Sequence, residues 1–120
     1  MPQDYHKLEI YKEAYNLSVD VFKELAKIQG NFRLVEQINA AATSIFSNVA
    51  EMSGYESTGQ HLNKILTSIG ECNELEARLN HLIDVSLLDN VKGKDFVNRT
   101  IEIRKKLFRI RETIKLRKPL

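Results

Sequence analysis

The stretch LVEQINAAATSIFSNVAEMSGYES, residues 34–57, decides the fold. At about 100° per residue, Leu34, Ile38, Ala41, Ala42, Ile45, Val49 and Met52 fall on one face of a helix. Val35 and Phe46 widen that face on one flank, while Gln37, Ser44, Asn48 and Glu51 line the other. Ser47 points away. The polar flank is therefore a seam bordering the core, where a neighbouring helix or subunit is met. Gly54 stands just past the helix end and is expected in the left-handed conformation. Tyr55, in the turn, is the aromatic residue expected to be accessible.

The same periodicity extends on both sides. A first segment from about Tyr5 to Ile28 carries Leu8, Tyr11, Tyr15, Phe22 and Leu25 on one line and Ile10, Ala14, Leu17, Val21 and Ile28 on another. Asp4 is a candidate cap, and "QGN" at 29–31 supplies a glycine after the helix. A third segment begins at "STGQ", where Ser57 and Gln60 have capping-box spacing. It runs through Leu62, Ile65, Ile69, Cys72, Leu75, Leu79 and Leu82 towards Leu87. Gly70 lies inside it, and a mid-helix glycine, costing about 1 kcal/mol against alanine, predicts close approach of another helix. "DNVKG" at 89–93 reads as a turn. A fourth segment, from about Lys94 to Arg117, repeats Phe96, Thr100, Ile103, Leu107, Ile110 and Ile114 in a near-heptad seam, and Pro119 stops it. Four helices with short loops predict an all-α, antiparallel up-down-up-down four-helix bundle forming one domain over 1–120. The alternative is a three-helix core with one helix exchanged between chains.

Composition narrows the function classes. Hydrophobic residues make up 42% and charged residues 28%, as expected for a globular protein. No apolar run approaches the roughly 18 residues of a membrane span, and the opening residues lack the basic-then-apolar layout of a signal peptide. A cytoplasmic protein with no membrane partner is expected. The single cysteine, Cys72, reads as a small buried thiol. The net charge of +2 hides an asymmetry. Residues 94–120 hold ten Lys or Arg against three acids, whereas residues 1–93 hold eight against thirteen. A basic C-terminal helix on an acidic body suits polyanion binding, although such charges also solvate an outer helix face.

Nothing in the pattern points to catalysis, a metal, a cofactor or a small-molecule substrate. His61 and His81 lie twenty residues apart on one helix, about 200° around it, and neither has a glutamate three residues before it. Glu71 and Glu74 are helical neighbours, but a salt bridge from Glu74 to Arg78 explains them better than acid–base chemistry.

"LEIYKEAYNL" (8–17), "QINAAATSIFSNVAEMSGYES" (37–57) and "SIGECNELEARL" (68–79) resemble the four-helix bundle protein family known as 23S ribosomal RNA intervening-sequence proteins, or S23 ribosomal protein. The family's Ser-Ile-x-x-Asn-Ile-Ala-Glu-Gly run is similar to Ser44, Ile45, Asn48, Val49, Ala50 and Glu51; its second hallmark matches at Gly70, Glu74 and Leu75. The resemblance covers about residues 5–88, with the fourth segment matching only in type. Asn39 and Ala40 stand where the family has arginines, Phe46 replaces a proline, Met52 a glycine, Ile69 an arginine and Glu71 a serine. The resemblance implies an antiparallel bundle, assembly into a homo-oligomer of pentamer-like ring form, and a link to RNA. A more distant likeness is to the accessory variability determinant of diversity-generating retroelements, which binds a reverse transcriptase and nucleic acid.

Two readings follow. In the first, the protein is a non-catalytic module whose Arg104, Lys105, Arg109, Arg111, Lys115, Arg117 and Lys118 hold RNA or DNA phosphates, giving affinity without sequence reading. In the second, it is an oligomeric scaffold for a protein partner, and Ser44, Asn48, Glu51, Gly70 and Glu74 serve the interface.

Overall fold

Side-chain caps fix where two of the four helices, the third and the fourth, begin. The computed structural model describes residues 4–117. Asp4 accepts the backbone N–H of His6 and opens a 3-10 turn, Tyr5–Lys7. Leu8 is extended, so the expected first segment is broken there, and α1 runs Glu9–Leu25. Its last bonds tighten, with Lys27 N donating to Glu24 O and Ile28 N to Leu25 O. Gly30 (φ 74°) and Asn31 (φ 55°) then reverse the chain, a left-handed pair that a right-handed helix cannot continue through. Helix α2 spans Phe32–Met52. Ser57 Oγ accepts the N–H of Gln60 and donates to its Oε1, opening α3, Thr58–Asp84.

Helix α4 starts earlier than its spacing predicts. Asp89 Oδ2 accepts the N–H of Lys92 at 3.0 Å, and α4 runs Asn90–Lys115. "DNVKG" is therefore a capped first turn, because the aspartate satisfies an orphan N–H that a loop would leave to water. Correspondingly, α3 ends at Asp84 instead of reaching Leu87. Leu87 N donates to Leu82 O, and Ser86 turns left-handed (φ 61°).

The four helices surround one core, and the molecule measures 51 × 22 × 20 Å along its principal axes. Ile38, Ala41, Ala42, Ile45 and Val49 of α2 are buried against Ile10, Ala14, Leu17 and Val21 of α1, Ile65, Leu75, Leu79 and Leu82 of α3, and Phe96, Ile103, Leu107 and Ile114 of α4. Among the described residues, no helix is long and apolar enough to cross a membrane. The α1–α4 seam is laced by ions: Glu24 with Lys92, Asp20 with Arg99, and Glu13 with Lys106. Hydrogen bonds from Lys27 and Lys92 hold the Glu24 carboxyl below the usual carboxylate range. That contribution is complete at neutral pH and is lost as acid protonates the carboxylate.

The glycines do not act where the pattern expects. Gly54 has no positive φ, and α2 ends instead with Ser53 in right-handed geometry. Gly70 is exposed, and a Cβ there would meet nothing within 4 Å, so no helix of this chain approaches it. The close approach is at Gly93, where a Cβ would lie 2.5 Å from Ile83 Cγ1.

The same substitution at these two sites should therefore have opposite signs in urea unfolding. Gly70→Ala is expected to stabilise by about 0.5–1 kcal/mol through helix propensity. Gly93→Ala is expected to destabilise by about 1–3 kcal/mol through overpacking against Ile83.

Candidate nucleic-acid interface

The basic side chains of α4 divide by what they touch. Arg104 reaches α3, where its Nη1 donates to Glu76 and, at 3.0 Å, to Asn73 Oδ1. Lys106 reaches α1 and is held by Glu13, with Glu9 at 3.6 Å. These two brace the bundle. Lys105 pairs with Glu102 on its own helix at 3.2 Å. Arg111 pairs with Glu112 at 3.0 Å and lies 4.6 Å from the centre of the Phe108 ring; Lys115 is 4.0 Å from the same Glu112. Arg109 is exposed. Arg117 crosses to α3, its Nη1 at 2.7 Å from His61 Nδ1. Lys118 lies outside the described residues. Arg104, read along the chain as a phosphate contact, is about one-fifth exposed and committed to α3.

The motif residues of α2 serve its seam with α3. Asn48 Nδ2 donates to Ser44 O (2.7 Å) and Oγ (2.9 Å) within the helix. Ser68 Oγ donates across to Ile45 O at 3.4 Å. Glu51 accepts from Lys64 Nζ at 2.6 Å, joining the end of α2 to the start of α3. The neighbour met by the polar flank is therefore α3. Glu74 sits 3.6 Å from Arg78 Nε, an ion pair too long to be a hydrogen bond.

One end of the bundle collects more than the sequence suggests. His61 Nε2 lies 2.6 Å from Tyr55 O, and Lys64 Nζ lies 5.8 Å from the centre of the Tyr55 ring. Glu51, Tyr55, His61, Lys64 and Arg117 form one connected cluster. His61 and Lys64 are absent from the candidate set read along the chain, because the α2–α3 turn and the last turn of α4 bring the cluster together. Tyr55 is half-buried by it, contrary to its expected accessibility. The more exposed aromatics are Tyr15 (44%), Phe22 (61%) and Phe32 (85%) on α1 and α2, and Phe108 (37%) on α4.

No three His, Cys, Asp or Glu side chains converge to hold a metal ion among the described residues. Burial pushes the Cys72 thiol up to about 12, with Arg104 pulling it down and Glu71 and Glu76 adding to the rise. Burial also raises the Glu71 carboxyl, helped by Glu74. Cys72 therefore stays a thiol at neutral pH, and the thiolate is the reactive form. A thiol-labelling reagent near pH 8 is expected to leave Cys72 unmodified in the native protein and to react once denaturant unfolds it. Rapid native labelling would contradict its burial.

Comparison with known proteins agrees with this architecture. The solved structure of a protein of unknown function from the S23 ribosomal protein family of Bacteroides thetaiotaomicron superposes with a TM-score of 0.80 at 26% identity, covering 86% of this chain and 95% of that one. No curated protein matches. The model of the 23S rRNA-intervening sequence protein family matches residues 6–109. The match thus extends past residue 88 through most of α4, beyond the reach of the motifs in α2 and α3. The chain belongs to the 23S rRNA-intervening sequence protein family.

Proposed function

We propose that this protein is a non-catalytic, oligomeric four-helix bundle that binds the phosphate backbone of nucleic acid, RNA of the rRNA intervening-sequence type, through the C-terminal half of α4. One observation carries the reading. Apart from the exposed Lys94 near its start, the cations of α4 that carboxylates of α1 and α3 do not hold gather in its last three turns, Lys105, Arg109, Arg111 and Lys115, with Arg117 just beyond them. Lys105 and Lys115 are 58% and 51% exposed. Glu102 and Glu112 are the acids beside them, so an excess of positive charge faces outward. Lys64 of α3 lies at the same end and joins the set only when released from Glu51. Lys118, next along the chain, belongs to the same proposed set. Arg104 joins it only when released from Glu76. The family's description as rRNA-intervening sequence proteins supports RNA as the polyanion.

Assembly rests on a different surface. Tyr15, Phe22 and Phe32 are exposed, and Tyr15 packs edge-on to the half-buried Phe46 at 5.3 Å. Exposed aromatic area of this kind on α1 and α2 favours a protein neighbour. A second copy is the proposed occupant. A different protein on this same surface is the second reading, in which the bundle is a scaffold without nucleic acid.

Binding of a labelled RNA hairpin and of duplex DNA across a salt series tests the first part. Five phosphate contacts predict a log–log slope of about −4.5 on duplex DNA. Replacing Lys105, Arg109 and Lys115 together by Gln is expected to cut that slope by about 2.7. Arg104→Gln is expected to cost about 1 kcal/mol of stability and leave the slope nearly unchanged. Absence of binding to either ligand at low salt, or a slope untouched by the triple variant, overturns the reading. Light scattering tests assembly: a mass well above the 13.8 kDa chain is expected, falling to it in Tyr15→Glu/Phe22→Glu. A wild-type monomer removes the oligomer.

A further inference from the structure

We propose that His61, Arg117 and Lys64 form a proton-coupled phosphate subsite at the end of the bundle where α3 begins and α4 ends, a proposal that rests on the backbone-binding reading. The hydrogen bonds around His61 admit one assignment. Tyr55 O lies 2.6 Å from Nε2 and has no proton, so Nε2 carries the hydrogen and donates it. Arg117 Nη1 lies 2.7 Å from Nδ1 and has no lone pair, so the guanidinium donates and Nδ1 accepts. His61 is therefore neutral while it holds Arg117.

A proton on Nδ1 reverses this contact. Two donors, each on a positive group, then face one another at hydrogen-bond distance. Arg117, which is exposed, then either swings into water or shares with the imidazole an acceptor carrying negative charge. A non-bridging phosphate oxygen supplies one, accepting from Nδ1–H and from Arg117 together. The neutral pair lacks such a role for the imidazole and spends one guanidinium N–H on it. Three helices and the α2–α3 turn supply the charged groups around His61. Arg117 comes from α4, Lys64 lies one turn along α3, and Glu51 of α2 is already bound to Lys64. Glu56 precedes His61 in the turn, and Glu112 of α4 is taken by Arg111 and Lys115. Proton uptake and phosphate binding must then strengthen each other equally.

Anisotropy of a rhodamine-labelled RNA hairpin at about pH 8 and about pH 6, at one ionic strength, tests the coupling. Wild type is expected to bind several-fold tighter at the lower pH, the ceiling for one linked proton being about tenfold per unit. His61→Gln is expected to lose that difference while keeping the wild-type salt slope at about pH 8. His81→Gln, at the far end of α3, is expected to keep the difference, and circular dichroism checks that both variants fold. An equal pH effect in His61→Gln, or none in wild type, overturns the subsite and leaves the backbone-binding reading standing. If the hairpin binds at neither pH, that reading fails, and carbon-detected imidazole NMR with inorganic phosphate decides the subsite alone. A His61 titration midpoint raised by phosphate supports it, and an unmoved midpoint overturns it.

Discussion

Burial of the narrow strip Ile38, Ala41, Ala42, Ile45 and Val49, each 2% exposed or less, fixes the rotation of α2 about its axis. Everything beside the strip follows from that rotation. Phe46 must turn towards Tyr11 and Tyr15 of α1, and it meets their rings at 6.0 and 5.3 Å. Glu51 must turn towards α3, where Lys64 receives it. The two alanines in the middle of the strip keep the helix slim, so flanking helices pack on both sides without a gap. A shift of one residue would move every member by 100° and expose half of the strip.

Seams of two kinds close the bundle. The α2–α3 and α3–α4 contacts are largely apolar, and their energy comes from area removed from water. The α1–α4 seam carries carboxylate–cation rungs instead. This second kind of contact decides how a basic helix behaves. Read as a string, residues 94–120 are ten cations against three acids. In the fold, acids of α1 and α3 neutralise Lys92, Arg99, Arg104 and Lys106. The remaining excess moves to the end of α4, because α1 and α3 supply the carboxylates along the middle and the first half.

The hydrophobic periodicity made the four helices and their core legible, since spacing alone sets which side chains share a face. Capping at Asp4 and at Ser57 was equally legible, being local chemistry over two or three residues. One misreading is local and the other is not. "DNVKG" has the residues of a turn, yet Asp89 caps a helix with them. Gly70 and Gly93 are alike in sequence; Ile83, supplied by the preceding helix, is what makes Gly93 the tight one.

The sequence by itself determined the class of fold, the members of the core and the net charge of α4, because each is a sum or a period along the chain. The tertiary structure alone decided which of those charges stay unneutralised. It also decided that Phe22 and Tyr15 face outward and that His61 meets Arg117, fifty-six positions away. Such pairings depend on where a turn returns the chain and on which acid arrives first at each cation, and neither quantity has a period to read.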